Sequence, residues 1–144
     1  MNASVNNVKQ IIIVVGLITN ENGELLLQRR IDKLIPEADA KWEFPGGKIE
    51  VNETVEQALH REIKEEIDCE VSITRLLPLV QTKMWRTNEG VDWQVILIPY
   101  ECRLESGTPV AKDKKVAEVR WFNRDDALGE SNLLSGVIEL IQVL

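Results

Sequence analysis

Residues 47–69 read GKIEVNETVEQALHREIKEEIDC, and their spacing defines the element around which the rest of the chain is interpreted. Thr54-Val55-Glu56-Gln57 has the form of a capping box, in which the Thr54 hydroxyl accepts from the Gln57 amide and the Gln57 side chain returns to the Thr54 amide. A helix therefore starts after Thr54. Val55, Leu59, Ile63 and Ile67 recur every four residues as its apolar stripe, and Asp68 tolerates the left-handed conformation that ends a helix. Glu62, Glu65 and Glu66 stand at i, i+3 and i+4 on one face, where like charges repel unless something neutralises them. That face lies about a quarter turn from the apolar stripe, so the carboxylates border the core and the need for a counter-charge is sharper. An all-oxygen donor set suits Mg2+ or Mn2+ better than zinc. His60, the single histidine, reads as a surface residue. Taken alone, E-x-x-E-E is more often a solvated acidic face with Lys and Arg partners.

Upstream, Ile11 to Val15 form a β-branched run typical of a buried strand, after a polar segment Met1 to Val8 expected to fray. Asn20-Glu21-Asn22-Gly23 supplies turn residues and Glu24 to Arg30 returns, so residues 9–30 are expected as a hairpin. Ile31 to Lys41 reads as a loop, and a short extended piece, Trp42-Glu43-Phe44, stops at Pro45-Gly46-Gly47, where the glycine pair marks close backbone approach or unusual φ. Downstream, strands are expected over Glu70 to Gln81, Val91 to Arg103 and Val116 to Phe122. A last helix, capped by Ser131 or Asn132, would run to the C-terminus with Val137, Leu140, Ile141 and Leu144 on its apolar side. The pattern is α+β: a mixed sheet with one central and one terminal helix.

A chain of 144 residues, 44% hydrophobic, is the size of one compact domain, so residues 1–144 are read as a single domain. A net charge of −7 disfavours a general nucleic-acid polymer binder, and no apolar run approaches the length of a membrane span. A cytoplasmic location is the expectation, with no membrane partner. Cys69 and Cys102, isolated from one another, read as small buried hydrophobes.

The string from Gly47 to Cys69 resembles the Nudix box, G-x5-E-x7-R-E-U-x-E-E-x-G-U with U apolar, through Gly47, Glu53, Arg61, Glu62, Ile63, Glu65 and Glu66. Every charged position agrees, which reverses the bland reading of the acidic cluster. Asp68 and Cys69 depart from the pattern, a matter of local stability more than chemistry. The resemblance extends to KWEFPGGKIE and NGELLLQRR, which are similar to MutT-type nucleoside triphosphatases. It implies a Nudix-like mixed β-sheet sandwiched between helices, with the box as a loop-helix-loop. It also implies Glu62, Glu65, Glu66 and the Gly46 carbonyl as ligands of Mg2+ (or Mn2+), and a catalytic group of Glu53, Arg61, Glu65 and Glu66. Within that group Glu53 and Arg61 brace the loop against the helix, and Glu65 or Glu66 is a candidate base. An acid from a later loop serves in related enzymes, but here that loop is Ala111 to Lys115, so Asp113 and Glu118 are weak candidates.

Arg29, Arg30 and Lys48 are the cations placed to meet phosphate. The resemblance puts Arg30 and Phe44 near the nucleotide and makes Asn132 a base-reading amide, with the N-cap role equally open. Trp85 is a better stacking candidate than Trp93. The implied reaction is hydrolysis of a nucleoside triphosphate, with a normal or an oxidised base, to a monophosphate and pyrophosphate. Alternatives are an ADP-ribose or dinucleotide polyphosphate hydrolase and a nucleotide-sensing domain without hydrolysis. The implied partner is a small nucleotide, bound by a monomer or homodimer.

Overall fold

The computed structural model describes residues 7–144, so Met1 to Asn6 of the expected frayed segment lie outside the described residues. Val8 is already in a strand. β1 (Val8–Thr19) runs parallel to β7 (Asp92–Ser106) in unbroken register from Val8↔Asp92 to Thr19↔Arg103. β7 also pairs antiparallel with β5 (Glu70–Leu76) and β6 (Gln81–Arg86). On its other side β1 meets β4 (Gly46–Lys48), while β2 (Leu25–Arg30) pairs with β3 (Trp42–Glu43) and β8 (Val116–Phe122). The result is the expected mixed sheet, and helices lie on both of its faces.

The expected hairpin over residues 9–30 is only partly formed. Its turn is built as expected: the Asn20 side chain accepts from the Asn22 and Glu24 amides, each at 3.0 Å, and Gly23 takes φ 75°. The ladder, however, is confined to Thr19↔Leu25. Val14, Val15, Leu17 and Ile18 are buried in succession, the signature of a strand covered on both faces, and such a strand satisfies its backbone through a long parallel partner. β2 departs to join β8. The strand expected over Glu70 to Gln81 is likewise two strands, β5 and β6, parted near Leu77-Pro78 where proline cannot donate to a ladder.

α1 (Val55–Ile67) forms as its sequence dictates. Thr54 accepts from the Gln57 amide at 3.1 Å, the Gln57 side chain accepts from the Thr54 amide at 2.9 Å, and Asp68 ends the helix at φ 55°, ψ 42°. Leu59, Ile63 and Ile67 are fully buried against Val14, Ile18, Leu26 and Cys102. Each such side chain contributes about 1.5–3 kcal/mol relative to exposure. Cys69 and Cys102 are free thiols in this layer, pushed up to about 11 and about 12 by burial, as befits small hydrophobes.

The C-terminal expectation needs correction. One helix capped by Ser131 or Asn132 is replaced by α2 (Arg124–Gly129), capped by Asn123, and α3 (Val137–Gln142), which starts after Gly136 at φ 96°. Residue 132 is spent elsewhere: the Asn132 carbonyl accepts from the Trp42 amide and the Trp42 carbonyl accepts from the Leu134 amide, both at 2.9 Å. Trp42 and Leu133 thus form a parallel bridge that extends the sheet, and the N-cap role of Asn132 is excluded. Ala127, Val137, Leu140 and Ile141 close the second core layer over Leu25, Leu27, Trp42 and Phe44. Among the described residues no helix is long and apolar enough to cross a membrane.

Candidate active site

Three elements converge on the acidic face of α1: the loop from Gly46 to Thr54, strand β2 and the segment after β7. The first ties itself to the helix through one arginine. Arg61 donates through Nε to Glu53 Oε2 at 2.7 Å and through Nη2 to Glu53 Oε1 at 2.8 Å, a bidentate pair, and Nη2 also donates to the Lys48 carbonyl at 3.0 Å. The Glu53 carboxylate is held down to about 2 by these Arg61 hydrogen bonds and by the Glu50 amide, so near neutral pH it is a fixed anion and not a proton acceptor. The pair thus ties the loop to the helix, and the remaining Arg61 Nη1 donates to Glu62 at 2.9 Å and to Glu65 at 3.3 Å.

The neighbouring carboxylates are treated differently. Glu66 is partly buried and its carboxyl is pushed up to about 8, first by desolvation and then by the charge of Glu43 and, less, of Glu62. It accepts from the Gly46 amide at 3.0 Å and from Gln28 Nε2 at 3.4 Å. Glu62 is also raised, chiefly by burial, in spite of Arg61. Glu65 is about half exposed. As they stand, no three His, Cys, Asp or Glu side chains among the described residues converge tightly enough to grip an ion, since Arg61 draws Glu62 and Glu65 toward itself. The donor set nonetheless fits a hard divalent cation: it is all oxygen, buried at one end, and short of positive charge. Gly47 leaves the space free, for a Cβ there would lie 2.5 Å from the Glu62 carboxylate. At Gly46 a Cβ would fall 2.0 Å from the Val14 carbonyl, so the backbone beside Glu66 can only be glycine.

The sequence-derived substrate residues divide. Arg30 and Phe44 line one pocket together with Glu43, Lys83, Trp85 and Leu134. Arg30 is paired with Asp32 at 2.5 Å and Glu43 at 3.1 Å. Arg29 lies on the surface, 3.5 Å from Glu118, which makes Glu118 its partner. The Lys48 side chain is exposed beside the box. Asn132 stands apart from the pocket walls: its Nδ2 donates to the Ala40 carbonyl at 2.6 Å and its Oδ1 accepts from Lys41 at 3.1 Å. Trp93 sits across from Trp85 on the neighbouring strand. The loop Ala111 to Lys115 docks on the end of α1, where the Glu66 carbonyl accepts from the Lys112 amide at 3.0 Å, and the charge of Lys115 partly offsets the rise in Glu62. Asp113 accepts from the Lys115 amide at 2.8 Å within that loop.

A family profile described as NUDIX domain matches residues 9–141 of this arrangement. The chain belongs to the NUDIX family. An Escherichia coli protein named 8-oxo-dGTP diphosphatase is 51% identical over 63 residues, a stretch that covers 41% of this chain and 44% of that protein. The chain thus aligns with less than half the length of that relative. An E. coli nucleoside triphosphatase, NudI, is 25% identical over 123 residues, covering 82% of this chain and 85% of that one. Among solved structures, the MutT protein of Methanosarcina mazei superposes with a TM-score of 0.77 at 24% identity, covering 96% of this chain and 94% of that one. The MutT-type resemblance read from the box and the sandwiched mixed sheet are both borne out.

Three residues of this Nudix domain escaped the sequence reading. Gln28 is 1% exposed, the one buried polar side chain among the described residues, and its Nε2 links Glu43 at 3.1 Å to Glu66 at 3.4 Å. A polar residue inside the apolar run LLLQ was the available signal, because a buried amide needs partners. Glu43, between two aromatics, is the third carboxylate of the buried network, and Lys83 is a cation in an apolar wall. Neither carries a local sequence mark, since their neighbours come from distant strands.

Proposed function

We propose that this chain hydrolyses a nucleoside triphosphate to the monophosphate and pyrophosphate with Mg2+ (or Mn2+) as cofactor, acting on a small nucleotide. The observation that carries the reading is a contrast around one helix: Glu53 holds Arg61 bidentately, while the partly buried Glu62 and Glu66 carboxyls are both raised by burial and by neighbouring carboxylates, beside an aromatic pocket. The names of the E. coli relatives favour a triphosphate substrate, and the first favours an oxidised purine.

Glu62, Glu65, Glu66 and the Gly46 carbonyl would hold the ion. Such an ion supplies positive charge to the oxygens of the diphosphate linkage, where charge develops as the bond breaks. The chain's own residues prepare that encounter. Gly46 N–H and Gln28 Nε2 aim the Glu66 carboxylate, so its position is set before substrate arrives. The Glu53–Arg61 pair fixes the loop that carries Gly46 and Gly47. Glu65, about half exposed and least committed, is the carboxylate free to take a proton from an attacking water. Lys48 and Arg29, exposed at the rim, offer charge to outer phosphates. Phe44 and Trp85 give the base an apolar seat.

The test is a hydrolysis screen with Mg2+ over normal and oxidised nucleoside triphosphates, ADP-ribose and dinucleotide polyphosphates, with products identified. Monophosphate plus pyrophosphate from a triphosphate supports the proposal. Turnover confined to ADP-ribose or dinucleotides would replace it, and binding without any turnover would indicate a sensing domain.

A further inference from the structure

The pocket beside the carboxylate helix contains a cation with no anion to explain it. Lys83, on β6, shares this pocket with Phe44, Trp85 and Leu134, and its Nζ lies 5.6 Å from the Trp85 ring centroid. No ion pair involves Lys83 among the described residues. The carboxylate that approaches most closely in charge, Glu43, is already committed, with Oε1 taken by Arg30 and Oε2 by Gln28. The Lys83 ammonium donates to the Ser135 carbonyl, which uses one of its three N–H groups. Gly136 permits that contact, since a Cβ there would lie 2.9 Å from Nζ. Burial lowers the Lys83 pKa to about 8, a measure of how poorly the ammonium is solvated. A desolvated ammonium with unused donors in an aromatic pocket is built to meet an acceptor that arrives with a ligand.

We infer that Lys83 is a specificity-determining residue that donates to the ring carbonyl oxygen of a keto base seated against Trp85. The inference rests on the nucleotide reading above for what enters the pocket. Its chemistry is one of opposites: a ring carbonyl accepts from the ammonium, whereas the exocyclic amino group of an amino base presents a second donor and leaves both unpaired. Discrimination by a mismatched polar group in a buried site exceeds what apolar shape alone achieves. A phosphate partner is disfavoured, because phosphates would sit with the cation that Glu62, Glu65 and Glu66 would hold, while Lys83 shares its wall with the aromatic residues.

Two substrate pairs exchange this keto group for an amino group, together with the proton on the adjoining ring nitrogen: ITP against ATP and UTP against CTP. Wild-type kcat/KM is expected to favour the keto member of each pair by roughly tenfold or more. Lys83→Met should bring both ratios to within about threefold of unity while keeping a wild-type melting temperature, and Lys83→Arg, which still donates, should keep their direction. Should Lys83→Met lose cooperative melting, Lys83→Gln takes its place. No keto preference in the wild type, or a preference untouched in the Lys83 variants, overturns the inference. A uniform loss on all four nucleotides with the ratios intact does so too, and assigns Lys83 to holding Ser135. If no triphosphate is turned over, the hydrolase proposal fails by itself. Calorimetric binding of inosine and adenosine monophosphates then decides: keto-selective binding that Lys83→Met abolishes supports the role of Lys83, and equal or absent binding overturns it.

Discussion

The two ends of the Nudix helix handle charge in opposite ways. At one end Glu53 and Arg61 match each other bidentately within 3.0 Å and the loop is nailed to the helix. At the Glu66 end a partly buried carboxyl faces two others, Glu43 and Glu62, with amide donors but no cation of its own. Charge that is matched inside the protein serves architecture; charge left unmatched is stored for something that arrives later. The fold tolerates the second only because the first makes it rigid.

The largest test of this contrast removes the unmatched charge. Glu66→Gln should lower kcat by about 100-fold or more while the metal-free protein stays as stable as wild type near neutral pH, where the Glu66 carboxyl keeps its proton, and becomes more stable than wild type as pH rises through about 8, where the charge it would carry is absent. Steady-state assays beside thermal melting in chelator read both effects, and wild-type turnover would take Glu66 out of the site. Next comes the matched end. Arg61→Ala should cost about 10–100-fold in metal affinity or activity and also lower the melting temperature, because Glu53 and Glu62 lose their shared donor. A drop in activity at unchanged stability would mean that Arg61 touches substrate and is no brace.

A third test uses pH. The folded Glu66 carboxyl sits at about 8 against an ordinary value of 4.5, so the folded state holds its proton more tightly than the unfolded one. Stability from this group is full below 4.5 and is lost as pH rises through about 8. Glu53 has the reverse sign, stabilising above its ordinary value of 4.5 and ceasing to do so as pH falls toward about 2. Melting in chelator should therefore fall between mildly acidic and mildly alkaline pH, and Glu66→Gln should flatten that slope. A flat wild-type profile would show that the carboxylates do not strain the apo fold. The smallest effect is at Asp68. Asp68→Gly removes left-handed strain at φ 55° but also the surface pairs to Lys64 at 3.5 Å and Lys112 at 3.6 Å. The net change should be neutral or stabilising by up to about 1 kcal/mol, with activity retained; a large loss of melting temperature would give the Asp68 side chain a structural role of its own.

What the residues announced in advance was local. The capping box at Thr54, the left-handed Asp68, the Glu53–Arg61 pair and strand Val116–Phe122 depend on neighbours or on a well-marked motif, and each stands as expected. What they concealed was nonlocal. Nothing near Ile11 says that its partner is Val95, and nothing near Asn132 says that its carbonyl will serve Trp42. The three-residue strand Gly46–Lys48 has no β-propensity and exists because β1 offers it an edge. Lys83 and Glu43 are invisible for the same reason: a pocket assembled from separate strands has no signature in any one of them.

The long parallel ladder between β1 and β7 also sets the order in which this molecule can be made. β1 is synthesised well before its partner β7, whose pairing begins at Asp92 and which follows only after α1 and the five strands β2 to β6 have been made. Until then Val14 and Ile18 lack the sheet that carries them under α1, and the nascent chain exposes a β-branched strand with an open edge. The same topology that seats the carboxylate helix on a rigid floor thus opens a window in which this edge is exposed, and slowing translation before β7 should lengthen it.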